Sequence, residues 1–507
     1  MTTHHRPLLL AGLAAVLVHL PAITQYGYFR DELYYLASTS YLAFGYVDHP
    51  PLSIWVLALI KLLLGDSLVA LRLVPVLIGA GVVVITGLMA RDAGGGRFAQ
   101  ALAATAVLVS PVYLGTARYY SMNSFDLLFW TLAGWILIRI VTSEDQKLWL
   151  LLGVVLGLGL LNKISMLWLG AGLTAGLLLT PVRGRLLTRG PWIAGAIAAV
   201  GFLPYVIWNL THDWATLEFM ANATRRKMVS VSVTEFAGQQ ILEMNPAVAP
   251  IWITGLVWCL VAKDGRRLRI LGVIFLTVFV ILAGSGTSRG SYLAPAYPML
   301  LAPGAVAIER LLAGPRRLWA RILACALPVL VGAMLLPFAL PVLSPDTFIR
   351  YQQALGLTPR RTERSEVAEL PQHYADMFGW DEMAEKAAKA YATLSSAEKD
   401  TCVFFGQNYG EAGALDVLGP RHGIPEGRVL SGHNAWWTWG TRGLPTDVVV
   451  ILGGDYGNNA EFFEQLDQVD TIRCERCMPY ERDLGVFIGR RPKKDLAAVW
   501  AGLKEFI

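Results

Sequence analysis

Three carboxylates, Asp31, Glu32 and Asp48, stand close together directly after the first long apolar run. The stretch reads Tyr28-Phe-Arg-Asp-Glu-Leu-Tyr-Tyr35, with the sequel Gly45-Tyr-Val-Asp-His-Pro-Pro51. Charge beside hydrocarbon is costly, so acids gathered at the mouth of a first membrane helix point to a use. The chemistry they suit is general-base catalysis: Asp31 takes the proton of an acceptor hydroxyl while Glu32 holds the geometry. Solvated acids favoured by a helix dipole are the plain alternative. On a helix, Tyr34 and Tyr35 share the face of Asp31, and an acid beside phenol hydroxyls suits a polar ligand such as a sugar. Asp48 and His49 return a second acid and an imidazole to the same loop, although either could simply cap a helix opened by Pro50 and Pro51.

Other candidates lie further along the chain. Asp126 heads an apolar run, where it could cap the helix, pair with a cation or orient the first loop. Lys163 lies between two apolar runs and is either a snorkelling lysine or a site cation. Arg289 precedes Tyr292 and Tyr297, and such a cation with tyrosine hydroxyls could hold a lipid-linked phosphate. The chain contains no HExxH and no complete zinc pattern. Gly453-Gly-Asp-Tyr-Gly457 lacks the Walker lysine and the dinucleotide spacing, and reads as a strand-to-helix turn. Cys474-Glu-Arg-Cys477 is half of a zinc-ribbon pattern without its second half, and fits a disulfide or a free pair. Nothing calls for a cofactor; a divalent metal is conceivable but has no motif.

These residues must be positioned by membrane helices. Of the 507 residues 54% are hydrophobic and 16% charged, well below the roughly 25% charged residues of soluble domains. The expected architecture is a polytopic α-helical membrane domain over 1–343 and a soluble α/β domain over 344–507. Apolar runs at 8–25, 67–90, 99–116, 124–142, 147–161, 164–180, 191–210, 247–262, 269–284, 292–311 and 322–343 predict about eleven transmembrane helices. The run 51–64 is short and broken by Lys61, and predicts an interfacial helix. The N-terminal basic stretch and first apolar run lack a convincing cleavage site and predict an uncleaved first helix.

With the N-terminus cytoplasmic, the basic loops around Arg91, Arg183, Arg266 and Arg316 lie inside. The acidic loop and the C-terminal domain then lie outside. The net charge of +5 is therefore a topology signal and no nucleic-acid footprint. In the tail, 401–405, 448–452 and 484–488 predict strands, and 380–395, 411–418 and 460–466 predict helices. His422, His433, Trp436, Trp437 and Trp439 could bind sugar or a partner there, or simply fill an aromatic core.

The chain resembles the polyprenol-phosphate-dependent glycosyltransferases of the GT-C class. Within that class it is similar to bacterial relatives of dolichyl-phosphate-mannose protein mannosyltransferases and to lipid A aminoarabinose transferases. The resemblance covers roughly 1–310. It rests on Arg30-Asp-Glu-Leu-Tyr-Tyr35, Tyr46-Val-Asp-His-Pro-Pro51, Ser124-Phe-Asp126, Gly157-Leu-Gly-Leu-Leu-Asn-Lys163 and Tyr292-Leu-Ala-Pro-Ala-Tyr-Pro298.

The resemblance implies two juxtamembrane helices, about 31–43 and 50–64, in the first external loop. It implies Asp31 as catalytic carboxylate, Asp126 as the second acidic position, and Tyr46 and Asp48 near the donor. It also implies inverting displacement, with polyprenyl phosphate leaving with the help of Lys163, Arg289 and His49. The expected partners are a polyprenyl-phosphate-linked sugar, a protein, lipid or glycan acceptor, and membrane lipids. The expected setting is a bacterial inner membrane. The aminoarabinose enzymes carry basic residues where Tyr34 and His49 stand, so the likeness does not extend to the sugar. A lipid-linked-sugar flippase would favour inverted repeats and mid-bilayer charges. A non-catalytic envelope assembly protein would put the weight on the tail.

Overall fold

A chain in hydrocarbon must satisfy its own backbone polar groups, and the apolar runs accordingly fold as helices. The computed structural model describes residues 6–143, 145–361 and 363–507, so residues 1–5 of the N-terminal stretch lie outside the described residues. Among these, Leu68–Asp92, Met122–Thr142, Arg189–Thr211, Arg266–Gly284 and Leu318–Ala339 are long and apolar enough to cross a membrane. Two bent pairs, Met166–Leu179 with Pro181–Leu187 (101°) and Gly290–Ala296 with Pro298–Leu311 (61°), raise the number from 5 to 7 if each is one span. The remaining apolar helices, such as Arg97–Leu108, Lys147–Asn162 and Ala249–Val261, are shorter. Length and composition therefore do not by themselves reach the eleven spans read from hydropathy. One reason is local: the run 99–116 breaks into Arg97–Leu108 and Pro111–Thr116. Pro111 has no N–H to continue the ladder, and the Ser110 hydroxyl donates to the Ala106 carbonyl (2.6 Å).

The chain divides into two units. The first comprises Met1–Gln25, Val69–Trp208 and Ser230–Val342. One close helix crossing joins Ala249–Val261 to Pro298–Leu311. There Gly255 faces the Leu300 carbonyl and Gly304 faces the Ile251 carbonyl, so closely that a Cβ at either would overlap the oxygen. Small residues that let backbones meet are a usual device of membrane helices.

The second unit comprises Tyr26–Leu68, Asn209–Val229 and Leu343–Ile507. Its centre is a five-stranded sheet in the order β2-β1-β3-β5-β4. The strands are β1 (Cys402–Gly406), β2 (Val429–Leu430), β3 (Val448–Leu452), β4 (Phe463–Ile472) and β5 (Leu484–Pro492). β1 runs parallel to β2 and β3, whereas β5 is antiparallel to both β3 and β4. Val403, Leu430, Val449, Ile451, Leu466 and Phe487 form one core cluster, and helix Trp380–Ala392 packs against β3, β4 and β5.

The expected helix at 460–466 is a correction: a short helix ends at Ala460 and β4 begins at Phe463. Pairing with β5 overrides the local pattern, burying Leu466 and Ile472 while most of the polar residues between them stay at least partly open. Gly453 and Gly454 take positive φ (74° and 76°) in the strand-to-helix turn after β3, as their spacing predicts. Cys474 and Cys477 are joined by a disulfide.

The two helices of the acidic loop, Arg30–Ser38 and Leu52–Leu64, belong to this second unit. Leu52–Leu64 buries Ser53, Ile54, Leu57 and Ile60 and leaves Leu59, Leu62, Leu63 and Leu64 exposed. Such an apolar face suits lipid better than water. Arg30–Ser38 packs against helix Tyr409–Val417. A Cβ at Gly413 would lie 3.0 Å from Leu33 Cβ and 3.2 Å from the Tyr34 nitrogen, so glycine permits the close approach.

Candidate active site

Helix Arg30–Ser38 is fastened at its first turn. The Phe29 N–H donates to Glu32 Oε2 (2.9 Å), and the Arg30 N–H donates to the Asp376 carbonyl (3.0 Å). Glu32 is fully buried, so it serves the geometry of the helix start. Asp31, next to it, keeps part of its surface open.

The Arg30 side chain turns towards the C-terminal part of the unit. Its Nε and Nη2 both donate to the Tyr409 hydroxyl (3.0 and 2.7 Å). Its Nη1 donates to the Tyr480 hydroxyl (2.6 Å), which in turn donates to Asp376 Oδ1 (3.3 Å). The guanidinium lies 4.5 Å from the Tyr409 ring centre, a favourable cation–π contact. The Tyr409 hydroxyl donates to Asp31 Oδ1 (3.0 Å). Burial pushes the Asp31 carboxyl above the ordinary carboxylate range, against the opposing pull of Arg30, Lys227 and the Tyr409 hydroxyl. Burial likewise lifts Asp376 to about 6.

Tyr409 is itself held. Asn408 caps its helix, its Oδ1 accepting from the N–H groups of Gly410 (2.8 Å) and Glu411 (3.1 Å). The Tyr409 N–H donates to His433 Nδ1 (3.2 Å), while His433 Nε2 bonds the Ile507 carbonyl (2.8 Å). Burial lowers His433 to about 3, leaving a neutral ring that accepts at Nδ1 and donates at Nε2.

Behind this lies a buried carboxylate pair. Asn408 Nδ2 donates to Glu411 Oε1 (2.9 Å) and to Glu481 Oε1 (3.0 Å). Burial, then the neighbouring Glu481, raise Glu411 well above its ordinary value, and burial lifts Glu481 to about 7.

The other face of the loop is aromatic. The Tyr34 hydroxyl donates to Asp48 Oδ1 (2.8 Å) and accepts from the Ala435 N–H (3.2 Å). Asp48 therefore does not cap Leu52–Leu64, which starts without a side-chain cap. His49 is buried among Tyr34, Tyr35 and Tyr46, with ring centres 5.9, 4.8 and 4.9 Å away. Its Nε2 lies 4.0 Å from Asp48 Oδ1. Tyr46 donates to the Tyr41 carbonyl (3.1 Å). In the tail, Trp436 is buried, Trp437 donates to the Trp500 carbonyl (3.0 Å), and Trp439 stacks on Tyr41 at 4.3 Å.

The first unit holds a second cluster. Ser121, not Asp126, caps helix Met122–Thr142, accepting from the Asn123 N–H (3.2 Å). Asp126 is buried and accepts from Ser165 Oγ on both oxygens (2.8 and 2.9 Å). Its Oδ2 lies 3.4 Å from Lys163 Nζ, which also donates to Asn123 Oδ1 (2.8 Å). The ammonium lies 5.6 Å from the Tyr292 ring centre. Asn123 and Asp126 account for two of its three donors. Arg289 is half-buried at the turn before Gly290–Ala296. Among the described residues, no group of three or more His, Cys, Asp or Glu side chains could hold a metal ion.

The structure thus unites Asp31, Glu32, Tyr34, Tyr35, Tyr46, Asp48 and His49 in one unit, and Asp126, Lys163 and Tyr292 in the other. Sequence reasoning missed Tyr409, Tyr480, Asp376 and Ser165 as partners. For Tyr409 a signal existed, since an asparagine with a glutamate three residues on opens a helix at Tyr409.

Residues 48–208 match the family model described as dolichyl-phosphate-mannose-protein mannosyltransferase. No curated protein matches the chain in sequence. Among solved structures the chain is similar to ArnT from Cupriavidus metallidurans bound to undecaprenyl phosphate. The two share 15% identity over 95% of this chain and 97% of that one, with a TM-score of 0.63. The apo state of the same protein matches at 15% identity and a TM-score of 0.61 over the same shares. The arabinofuranosyltransferase AftD from Mycobacteria matches at 14% identity and a TM-score of 0.51, over 98% of this chain and 40% of that one. The chain is a membrane protein with the GT-C glycosyltransferase fold, and its architecture is ArnT-like, with a small C-terminal sheet domain.

Proposed function

We propose that this protein moves a sugar from a polyprenyl-phosphate donor to an acceptor hydroxyl outside the cytoplasm, with inversion at the anomeric carbon. The observation that carries the reading is Asp31: a partly open carboxylate on a fastened helix, oriented by a phenol and raised above its ordinary pKa. A base tuned upward is better matched to a hydroxyl proton than an ordinary carboxylate. Asp31 takes the acceptor proton, and the hydroxyl oxygen forms its bond to the anomeric carbon from the face opposite the phosphate. The sugar–phosphate bond breaks, its electron pair leaving with the polyprenyl phosphate. Lys163 and Arg289, with Tyr292, meet the charge of the leaving phosphate. Tyr46, Asp48 and His49 contact the donor, and Asp126 sets the pose of Lys163. Glu32 acts through the helix start. No redox cofactor enters this displacement.

The matched family and the undecaprenyl phosphate bound by ArnT support a lipid-phosphate donor. The Cys474–Cys477 disulfide supports an oxidising side for the second unit. The N-terminus is then cytoplasmic, the membrane is a bacterial inner membrane, and the acceptor is a protein, lipid or glycan of the envelope.

The test is turnover of a panel of radiolabelled polyprenyl-phosphate sugars by purified protein in detergent, with membrane extract as the acceptor source. Product anomeric configuration is read by NMR. Transfer from one donor with inverted configuration is expected. A retained configuration, or folded protein that turns over no polyprenyl donor, would refute the reading.

A further inference from the structure

The Tyr409 hydroxyl carries one proton and two lone pairs. Arg30 directs two N–H donors at that oxygen, 3.0 and 2.7 Å away. With the lone pairs so engaged, the phenol cannot accept from Asp31 or from a passing hydroxyl. Its single proton is committed to Asp31 Oδ1 at 3.0 Å. Donation from a guanidinium also polarises the phenol and strengthens it as a donor.

The rest of the assembly reads as support for that one contact. The Tyr409 backbone is pinned by His433, its helix is capped by Asn408, and Arg30 is braced from the other side by Tyr480 and Asp376. The same Asn408 ties the Glu411 and Glu481 carboxylates together, fixing Tyr409 and Tyr480 in one frame.

We propose that Tyr409 is a positioning residue of the transfer reaction. It fixes which Asp31 oxygen faces the acceptor and how basic that oxygen is. This rests on the reading of Asp31 as the base. Because Oδ1 is committed to the phenol, Oδ2 receives the acceptor proton. The sequence segment that names the base, in the first external loop, is thus completed by a residue 378 positions away in the C-terminal domain.

A merely structural role would fasten the two segments and leave the proton chemistry of Asp31 alone, so the test reads that chemistry. Transfer by full-length protein is measured across pH for wild type, Asp31→Asn, Tyr409→Phe, and protein carrying 3-fluorotyrosine at position 409. Thermal melts run alongside. A hydrogen bond to a carboxylate favours its charged form, so losing it raises the pKa. Tyr409→Phe is expected to move the acid limb of kcat upward by about one pH unit, and to lower kcat at its optimum by roughly tenfold with little change in KM. Fluorotyrosine keeps the shape and donates more strongly, and so moves the limb downward even if the phenylalanine variant proves poorly folded.

Opposite shifts of the limb establish the proposal. An unmoved limb with fluorotyrosine, while Asp31→Asn is inactive, overturns it and leaves the base intact. Full activity of Asp31→Asn overturns the reading of the base and this proposal with it.

Discussion

A carboxylate beside a membrane can act as a base only if its protonation is controlled, and here the controls are individual residues. Burial raises Asp31, and the charges of Arg30 and Lys227, then the Tyr409 hydrogen bond, restrain it. The wild-type protein is therefore expected to lose transfer on acidification at a pH above the ordinary aspartate value of about 3.9, which a pH–rate profile reads. The Asp126–Lys163 pair permits a stability prediction. Removing one partner of a buried pair strands the other's charge, at a cost of about 3–5 kcal/mol. Lys163→Met should therefore lower the melting temperature markedly, and adding Asp126→Asn should recover part of it. If the two changes are simply additive, the pair is not coupled. The types of these residues were legible in the chain. Their partners were not, because Arg30 meets Tyr409 across 379 positions and Asp126 meets Ser165 across 39.

Elements were legible where one signal dominates. β1, β3 and β5 are short apolar runs bounded by turns, and the loop helices Arg30–Ser38 and Leu52–Leu64 fall where expected. β4 was not, since its polar outer residues carry little strand signal and its existence depends on β5. The break before Pro111 had a signal in the Ser110-Pro111 pair, but the apolar residues on either side read as one continuous run.

Gly304→Leu should prevent the crossing of Ala249–Val261 and Pro298–Leu311, costing more than about 3 kcal/mol; wild-type yield and melting would refute it. Glu481, lifted to about 7, holds its proton in the folded state at pH values where the unfolded chain has released it. Its contribution is full below its ordinary value of about 4.3 and is lost as pH rises through the folded value. Melting temperature should fall between pH 5 and 8, and fall less in Glu481→Gln. Parallel curves for the two proteins would show that Glu481 does not titrate there.

At the scale of the whole chain, three segments distant in sequence build the second unit, so the acidic loop folds with the tail. Hydropathy could divide apolar from polar sequence near residue 343, but it carries no information on which polar segments pack together. A chain ending at residue 343 lacks Tyr409 and Tyr480, the partners of the Arg30 side chain, and Asp376, the partner of its backbone N–H. It should reach the membrane and transfer nothing, whereas a tail that is a detachable accessory would leave transfer intact.

The proposed transfer turns on one aspartate. Its most direct test is single-turnover transfer from the polyprenyl-phosphate sugar that the wild type uses, comparing wild type with Asp31→Asn at matched melting temperature. Loss of general-base catalysis predicts a fall of roughly 10²–10⁴-fold with donor binding retained. A folded Asp31→Asn protein that transfers at the wild-type rate would contradict the account.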